Sequence, residues 1–239
     1  MPRVYRKRRY ASISVLFALT LSACDQCGVS NVPPENKAKS ANVYQVVTGE
    51  DIEQDKTHWD SLYDKTAGYV FGKEPAELLK EQVDILPVGR ALDIAMGEGR
   101  NAVFLAKKGF VVDGVDLSEV ALRKAKRLAR ESHVDITTIN ADLNHYTIKP
   151  DTYEVIVNID FLLRSLVPEI RKGLKRGGVV VFETLTVDQL KNPKGQGIRR
   201  DWLLDKGELK EFFKDYQILF YAETNDGENA KASLVAMKP

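Results

Sequence analysis

The last two strand-like segments of this chain have no helix between them, and that ending constrains the fold more than any other feature. Tyr216–Tyr221 and Ala232–Met237 are apolar runs set either side of a polar turn, Asn225-Asp226-Gly227, which reads as a hairpin. Upstream, strands and helices alternate. Arg90–Ala95, Phe110–Asp116, Val134–Asn140, Tyr153–Ile159 and Val179–Thr184 read as strands, the last nearly all apolar as in the buried centre of a parallel sheet. Between them, Asn101–Lys108 carries apolar residues on one helical face, and Ser118 caps a helix running to about Glu131, with Glu119 favourably placed against the dipole. Pro168–Leu174 falls in a helix expected to end at Gly177-Gly178. Asp205-x-x-Glu208 is the pattern of a capping box opening a helix through Phe213. The prediction is an α/β fold: a doubly wound, Rossmann-like sheet of seven strands, mostly parallel, with an antiparallel C-terminal hairpin.

Composition limits the function classes. The chain has 239 residues, Lys plus Arg 35 against Asp plus Glu 34, and a net charge of +1. That balance speaks against a nucleic-acid binder, which normally carries a large basic excess. The positive charge is concentrated at the start, where Arg3, Arg6, Lys7, Arg8 and Arg9 precede a mostly apolar run from Ala11 to Leu21. The run is too short to span a bilayer and fits the hydrophobic region of an export signal. Leu21-Ser22-Ala23-Cys24 then resembles the lipobox of bacterial lipoproteins, in which the cysteine sulfur is acylated and the leader is cut just before it. Residues 1–23 are accordingly expected to be a signal peptide, residues 24–50 a flexible tether rich in Pro, Asn, Lys and Ser, and residues 51–239 the folded domain. Membrane attachment would be through the lipid on Cys24. Asp25 resembles the residue that retains some lipoproteins at the inner membrane; a misread start would leave the chain cytoplasmic. Cys24-x-x-Cys27 lies outside any βαβ context expected of a redox pair.

Ligands of doubly wound sheets lie beyond the carboxyl ends of the strands. Asp93 and the Ala95-Met96-Gly97-Glu98-Gly99 loop end the first strand, Asp116 the second, and Asp142 the third. A carboxylate at the position of Asp116 can accept from both hydroxyls of a ribose, and one at Asp142 from an exocyclic amine. Gly97-x-Gly99-x-x-Ala102 also matches a dinucleotide-binding pattern. Against that reading, Asp93 would repel a pyrophosphate, and the terminal hairpin is foreign to such domains.

From about Trp59 to Met237 the chain resembles a class I S-adenosylmethionine-dependent methyltransferase, and within that class the small bacterial tellurite-resistance (TehB-type) methyltransferases. The resemblance rests on Trp59-Asp60-x-x-Tyr63, Tyr69-x-Phe71-Gly72-x-x-Pro75, Asp93 through Asn101, Val115-Asp116-Leu117-Ser118, Ala141-Asp142-Leu143 and Asn158 through Arg164. Ala95 stands where many methyltransferases have the first glycine of the loop. The resemblance implies S-adenosyl-L-methionine as cofactor. It places the methionine end at Asp93, Gly97, Gly99 and Arg100, ribose at Asp116 and Leu117, adenine at Asp142 and Leu143, and Asn158 beside the sulfonium. The acceptor is expected to be a small molecule, such as a thiol or metalloid anion that needs no general base. Arg164 and His58 are the candidates for a part in catalysis, Arg164 as a holder of an anionic acceptor and His58 as a base. His133 and His145 are expected to be structural or solvated. Trp59, Tyr63, Tyr69 and Phe71 are candidates for an apolar lid, and Lys191 to Arg200 for a basic substrate loop. An exported protein that keeps this fold but binds a nucleotide-type ligand without catalysis is the alternative.

Overall fold

The computed structural model describes residues 52–239, with side chains from residue 56 onward. Cys24 and the segments expected to be signal and tether lie outside the described residues. Helix α1 (Ile52–Lys65) leads to α2 (Glu77–Gln82), and the alternation then runs β1 (Arg90–Ile94), α3 (Arg100–Lys107), β2 (Val111–Asp116), α4 (Glu119–Glu131) and β3 (Thr137–Asn140). It continues with β4 (Tyr153–Ile159), α5 (Val167–Gly173), β5 (Leu174–Leu185), α6 (Glu208–Phe212), β6 (Gln217–Asn225) and β7 (Ala230–Met237).

The seven strands form one sheet in the order β3-β2-β1-β4-β5-β7-β6. Strands β1 to β5 pair in parallel, whereas β7 is antiparallel to both β5 and β6. This antiparallel end separates the sheet from the all-parallel order of dinucleotide-binding domains. Alternation along each strand feeds two apolar layers. Leu92, Ile94, Ile156, Val180 and Phe182 pack toward α5 and α6 with Ile170 and Leu209. Ala91, Val112, Val155, Val157 and Val181 pack on the other face with Leu79, Leu105 and Ala125 from α2, α3 and α4. With both faces covered, strands of Val, Ile and Leu are the stable choice. Because side chains alternate, Asp93 projects to the face opposite Leu92 and Ile94, under α3.

Several boundaries differ from expectation. The helix expected to reach Gly177-Gly178 stops at Gly173, and those glycines lie inside β5. Gly177 N–H donates to Lys238 O at 2.9 Å and Lys238 N–H to Gly178 O at 2.9 Å, so the pair sits at an irregular start of the strand. The third strand begins only at Thr137. The capping box forms by half: Glu208 accepts from Asp205 N–H at 2.7 Å, but the Asp205 carboxylate turns to Arg200 and Gly207, at φ 77°, takes the cap position. Ser118 does cap α4, accepting from Ala121 N–H at 3.1 Å. Among the described residues, no helix is long and apolar enough to cross a membrane.

Candidate functional site

Strand β1 is central, with β2 on one side and β4 on the other, so the chain's two halves diverge from its carboxyl end. A crevice must open there. It does, as a cleft of about 280 Å³ whose wall includes the Ala95–Glu98 loop, Arg100, Asp116, Leu117, Asp142 and Leu143.

The loop after β1 is held in left-handed backbone at three positions, Ala95 (φ 50°), Gly97 (φ 54°) and Gly99 (φ 86°). Gly99 needs both its φ and its missing side chain, since a Cβ there would come within 2.8 Å of Ala125 Cβ. Ala95 accepts a conformation that glycine adopts freely, at a cost of about 1 kcal/mol. Met96 folds back over Gly114 of β2, filling the space that a side chain on that residue would occupy.

Asp116 ties the loop to β2. Its Oδ2 accepts from Gly97 N–H at 2.8 Å and its Oδ1 from Ser118 N–H at 2.8 Å. Burial pushes its pKa up to about 6, against the pull of these backbone donors. Asp116 lines the cleft, and its two oxygens together have more acceptor sites than these donors fill. Asp142 sits in a tight turn, accepting from Asn144 N–H at 3.0 Å and Nδ2 at 2.8 Å, with His145 Nδ1 2.7 Å from Oδ2. Burial works to raise its pKa, but these hydrogen bonds hold it below the usual carboxylate value.

Asp93 lies under the loop rather than in the wall. It is 1% exposed, and one carboxylate oxygen, Oδ2, has no hydrogen-bond partner. Burial raises its pKa to about 7, opposed by the Arg100 guanidinium and by Ala102 N–H in the first turn of α3. Asp93 therefore serves as a distal cap for a helix whose own cap residue is a glycine.

The cover comes from α1 and the segment after it. His58, Trp59, Tyr63, Phe71 and Gly72 line the cleft. Trp59 and Tyr63 stack at 5.9 Å, and His58 meets Trp59 edge-on at 5.5 Å. Tyr69, expected in the lid, instead packs beside Val103 and Leu128, with Lys73 and Arg127 over its ring. Residues that sequence reasoning passed over fasten this cover. Asp60 accepts from Ser118 Oγ at 2.5 Å and from Lys56 at 2.7 Å, pinning α1 to the start of α4. Glu98 accepts from Val70 N–H at 2.6 Å and pairs with Lys124 at 2.8 Å, while Lys124 also reaches Thr66 O and Gly68 O. Asn101 Oδ1 accepts from Ala76 N–H at 2.9 Å.

Two expected site residues take other work. Arg164 is absent from the wall. Its Nε and Nη2 clamp Glu208 at 2.7 and 2.9 Å, and Nη1 and Nη2 donate to Asp201 O and Leu203 O. A guanidinium so engaged is a staple between the β4 loop and the α6 region, not a holder of an anionic acceptor. Asn158 is buried and donates to Phe161 O at 2.6 Å, so it shapes the loop after β4 instead of facing the cleft. His133 and His145 are exposed. The basic loop contributes Ile198 to the wall, while Lys191, Lys194 and Arg200 pair with Asp188, Glu228 and Asp205.

Residues 54–233 match the model of the family described as tellurite resistance protein TehB. The chain belongs to the TehB family. Among its relatives, the probable S-adenosyl-L-methionine-dependent methyltransferase TehB of Haemophilus influenzae is 29% identical over 147 residues, 58% of this chain and 49% of that protein. A ubiquinone biosynthesis O-methyltransferase of Vibrio cholerae is 31% identical over 102 residues, covering 40% of this chain and 42% of its own length. The chain thus spans about half the length of the curated relatives it matches. Among solved structures, TehB from Haemophilus influenzae superposes with a TM-score of 0.59 at 22% identity, over 77% of this chain and 67% of that one. The [4+2]-cyclase SpnF superposes with a TM-score of 0.61 at 15% identity, over 79% and 97%. These likenesses establish the fold, and a cyclase among them is a reminder that chemistry resides in the site.

Proposed function

We propose that this TehB-family chain is an S-adenosylmethionine-dependent methyltransferase acting on a small soft nucleophile such as a thiol. The observation that carries the reading is the cleft at the carboxyl ends of β1, β2 and β3, where the left-handed loop, Asp116, Leu117, Asp142 and Leu143 form one wall. The donor set fits the cofactor. Asp116 retains lone pairs suited to ribose hydroxyls, Asp142 and Leu143 suit an adenine, and Asp93 offers a buried acceptor without a partner for the ammonium end.

When bound, the cofactor supplies a methyl group already activated on a sulfonium. The chain's share is then positioning and exclusion of water. The loop from Ala95 to Gly99 presents backbone to the ligand, Arg100 lies beside it, and Trp59, Tyr63 and Phe71 close the top. His58 stands in the wall as the candidate to take a proton from an acceptor that arrives protonated. A thiol manages without it, because its proton is lost readily to water.

The same proposal puts the chain on a membrane surface, held by a lipid on Cys24, with Asp25 favouring the inner membrane; its support is the sequence pattern of residues 3–25. Calorimetric titration of the full chain with S-adenosylhomocysteine tests the cofactor reading. Saturable one-to-one binding that NAD fails to displace is expected. Absence of binding, or displacement by NAD, overturns it.

A further inference from the structure

The carboxyl edge of the sheet carries a row of alternating charges that begins in the cleft and ends outside it. Strands β1, β4, β5 and β7 are consecutive in the sheet. Arg100 opens α3 after the β1 loop, Asp160 follows β4, Glu183 lies in β5, and Lys231 and Ser233 lie in β7. The register sets them side by side, pairing Ile159 with Glu183 and Glu183 with Ser233. Arg100 Nη2 donates to Asp160 Oδ2 at 2.9 Å, and Lys231 Nζ to Asp160 Oδ1 at 3.3 Å and Glu183 Oε1 at 3.0 Å. Ser233 Oγ closes the row, donating to Glu183 Oε2 at 2.6 Å. Arg100 and Asp160 line the cleft, whereas Lys231 and Glu183 stand outside its wall.

Two features mark the row as more than a fastening between strands. Asp160 is held at φ 57°, a left-handed backbone that costs a non-glycine residue energy and persists only where the surroundings impose it. Its N–H is fixed to Glu183 O at 2.8 Å. The four charged side chains are also partly buried, where apolar residues would join the strands at least as well. Burial works to lower the pKa of Lys231, but Asp160 and Glu183 raise it, so the lysine stays charged.

What the row holds at its cleft end is a guanidinium. Asp160 takes Nη2 of Arg100, and the guanidinium lies over the Phe71 ring, 5.8 Å from its centroid. Its other N–H groups make no hydrogen bond to a described residue. Several donors of the adjoining loop are occupied: Met96, Gly97 and Gly99 N–H go to Val115 O, Asp116 and Met96 O. The free edge of Arg100 is thus the charged donor that a carboxylate at this end of the cleft would meet, and its planar fork rewards a fixed orientation.

Resting on the cofactor reading above, we propose that Asp160 and Lys231 are positioning residues that hold the Arg100 guanidinium with its free edge toward the carboxylate of the cofactor's amino-acid end. The C-terminal hairpin then takes part in cofactor binding without touching the cofactor. Lys231 occupies the second oxygen of Asp160, which keeps that carboxylate from turning and from cancelling the charge of Arg100.

Calorimetry of the full chain compares S-adenosylhomocysteine with methylthioadenosine, which keeps adenine, ribose and thioether but lacks the amino-acid end. Lys231→Met is expected to weaken S-adenosylhomocysteine roughly tenfold and to leave methylthioadenosine within about twofold of wild type. Lys231→Arg, which keeps the charge, is expected to restore S-adenosylhomocysteine to within about threefold. In an Arg100→Met background, Lys231→Met should change S-adenosylhomocysteine affinity by less than about twofold, because a positioning residue has no effect once the group it positions is gone. Should Lys231→Met fail to fold, Lys231→Met combined with Glu183→Gln leaves no unpaired carboxylate on β5 and carries the same expectations. Equal loss of both ligands, S-adenosylhomocysteine affinity unchanged by Lys231→Met, or an undiminished effect in the Arg100→Met background overturns this proposal alone. A wild-type chain that does not bind S-adenosylhomocysteine overturns the cofactor reading, and this proposal with it.

Discussion

Replacing Asp93 by Asn removes a carboxyl group that is buried beneath the loop with one oxygen unpartnered. In the unfolded chain this acid ionises near its ordinary pKa of about 3.9, whereas burial lifts it to about 7 in the folded protein. Between these values the folded state holds a proton that the unfolded state has lost, so stability falls as pH rises. The contribution is complete below about pH 4 and gone above about pH 7. A shift of about three pKa units corresponds to about 4 kcal/mol, at about 1.4 kcal/mol per unit of pH. Asn cannot titrate and keeps an oxygen to accept from Ala102 N–H. Urea denaturation of both proteins at pH 5, 6, 7 and 8 isolates the effect, because Asp116 titrates in each and drops out of the difference. From pH 5 to pH 7 the wild type should lose about 2.5 kcal/mol relative to Asp93→Asn. A cofactor bearing an ammonium group favours the ionised form, so affinity for S-adenosylhomocysteine should rise from pH 6 to 7 more steeply in the wild type than in the variant, by up to about tenfold per unit, since Asp116 titrates in both. Denaturation curves whose separation does not change with pH would refute the reasoning.

Arg164→Ala frees Glu208 and two carbonyls from a partly exposed clamp; a loss of about 1–2 kcal/mol in denaturant stability is expected, with S-adenosylhomocysteine affinity unchanged in calorimetry. Glu98→Gln breaks the pair with Lys124, whose partners are 3% and 13% exposed, but keeps an acceptor for Val70 N–H. A loss of about 3 kcal/mol is expected, with faster amide exchange confined largely to residues 66–76. Cys24→Ser in a bacterial host should abolish labelling by fatty acid and leave an uncleaved precursor, and labelling that persists would remove the lipid anchor.

What could be read in advance follows the range of the interaction involved. Strand β4 has the bounds expected from its sequence, Tyr153–Ile159, because a run of buried Val and Ile is a local signal. The start of β5 was obscured because Gly177-Gly178 carries the local signature of a helix end, while its pairing with Lys238 depends on a residue about sixty positions away. The acids at 116 and 142 were legible because strand-end position alone brings them to the crevice. Arg164 was misjudged for the opposite reason: its place after β4 was visible, but Glu208, which takes its guanidinium, is 44 residues on. Glu98 reads as a loop residue and Asn101 as the start of a helix, and their grip on Val70 and Ala76 leaves no periodicity behind. Asp160 carried one faint mark, an acid in the strand-to-loop turn where Asp tolerates positive φ.

Strand β7 follows β6 in the sequence yet lies between β6 and β5 in the sheet. A ribosome delivers β6 before the strand that must join it to the rest, so nascent β6 can pair with nothing but the strand still to come. The flank of β5 stays uncapped over the same interval, with Val179, Val180 and Val181 presenting unpaired backbone. Completion of the sheet therefore waits for β7 rather than accreting gradually, and any chain interrupted before Ala230 carries a sticky apolar rim. Quality-control machinery would meet truncated products of this protein as aggregation substrates, however well their first five strands had formed.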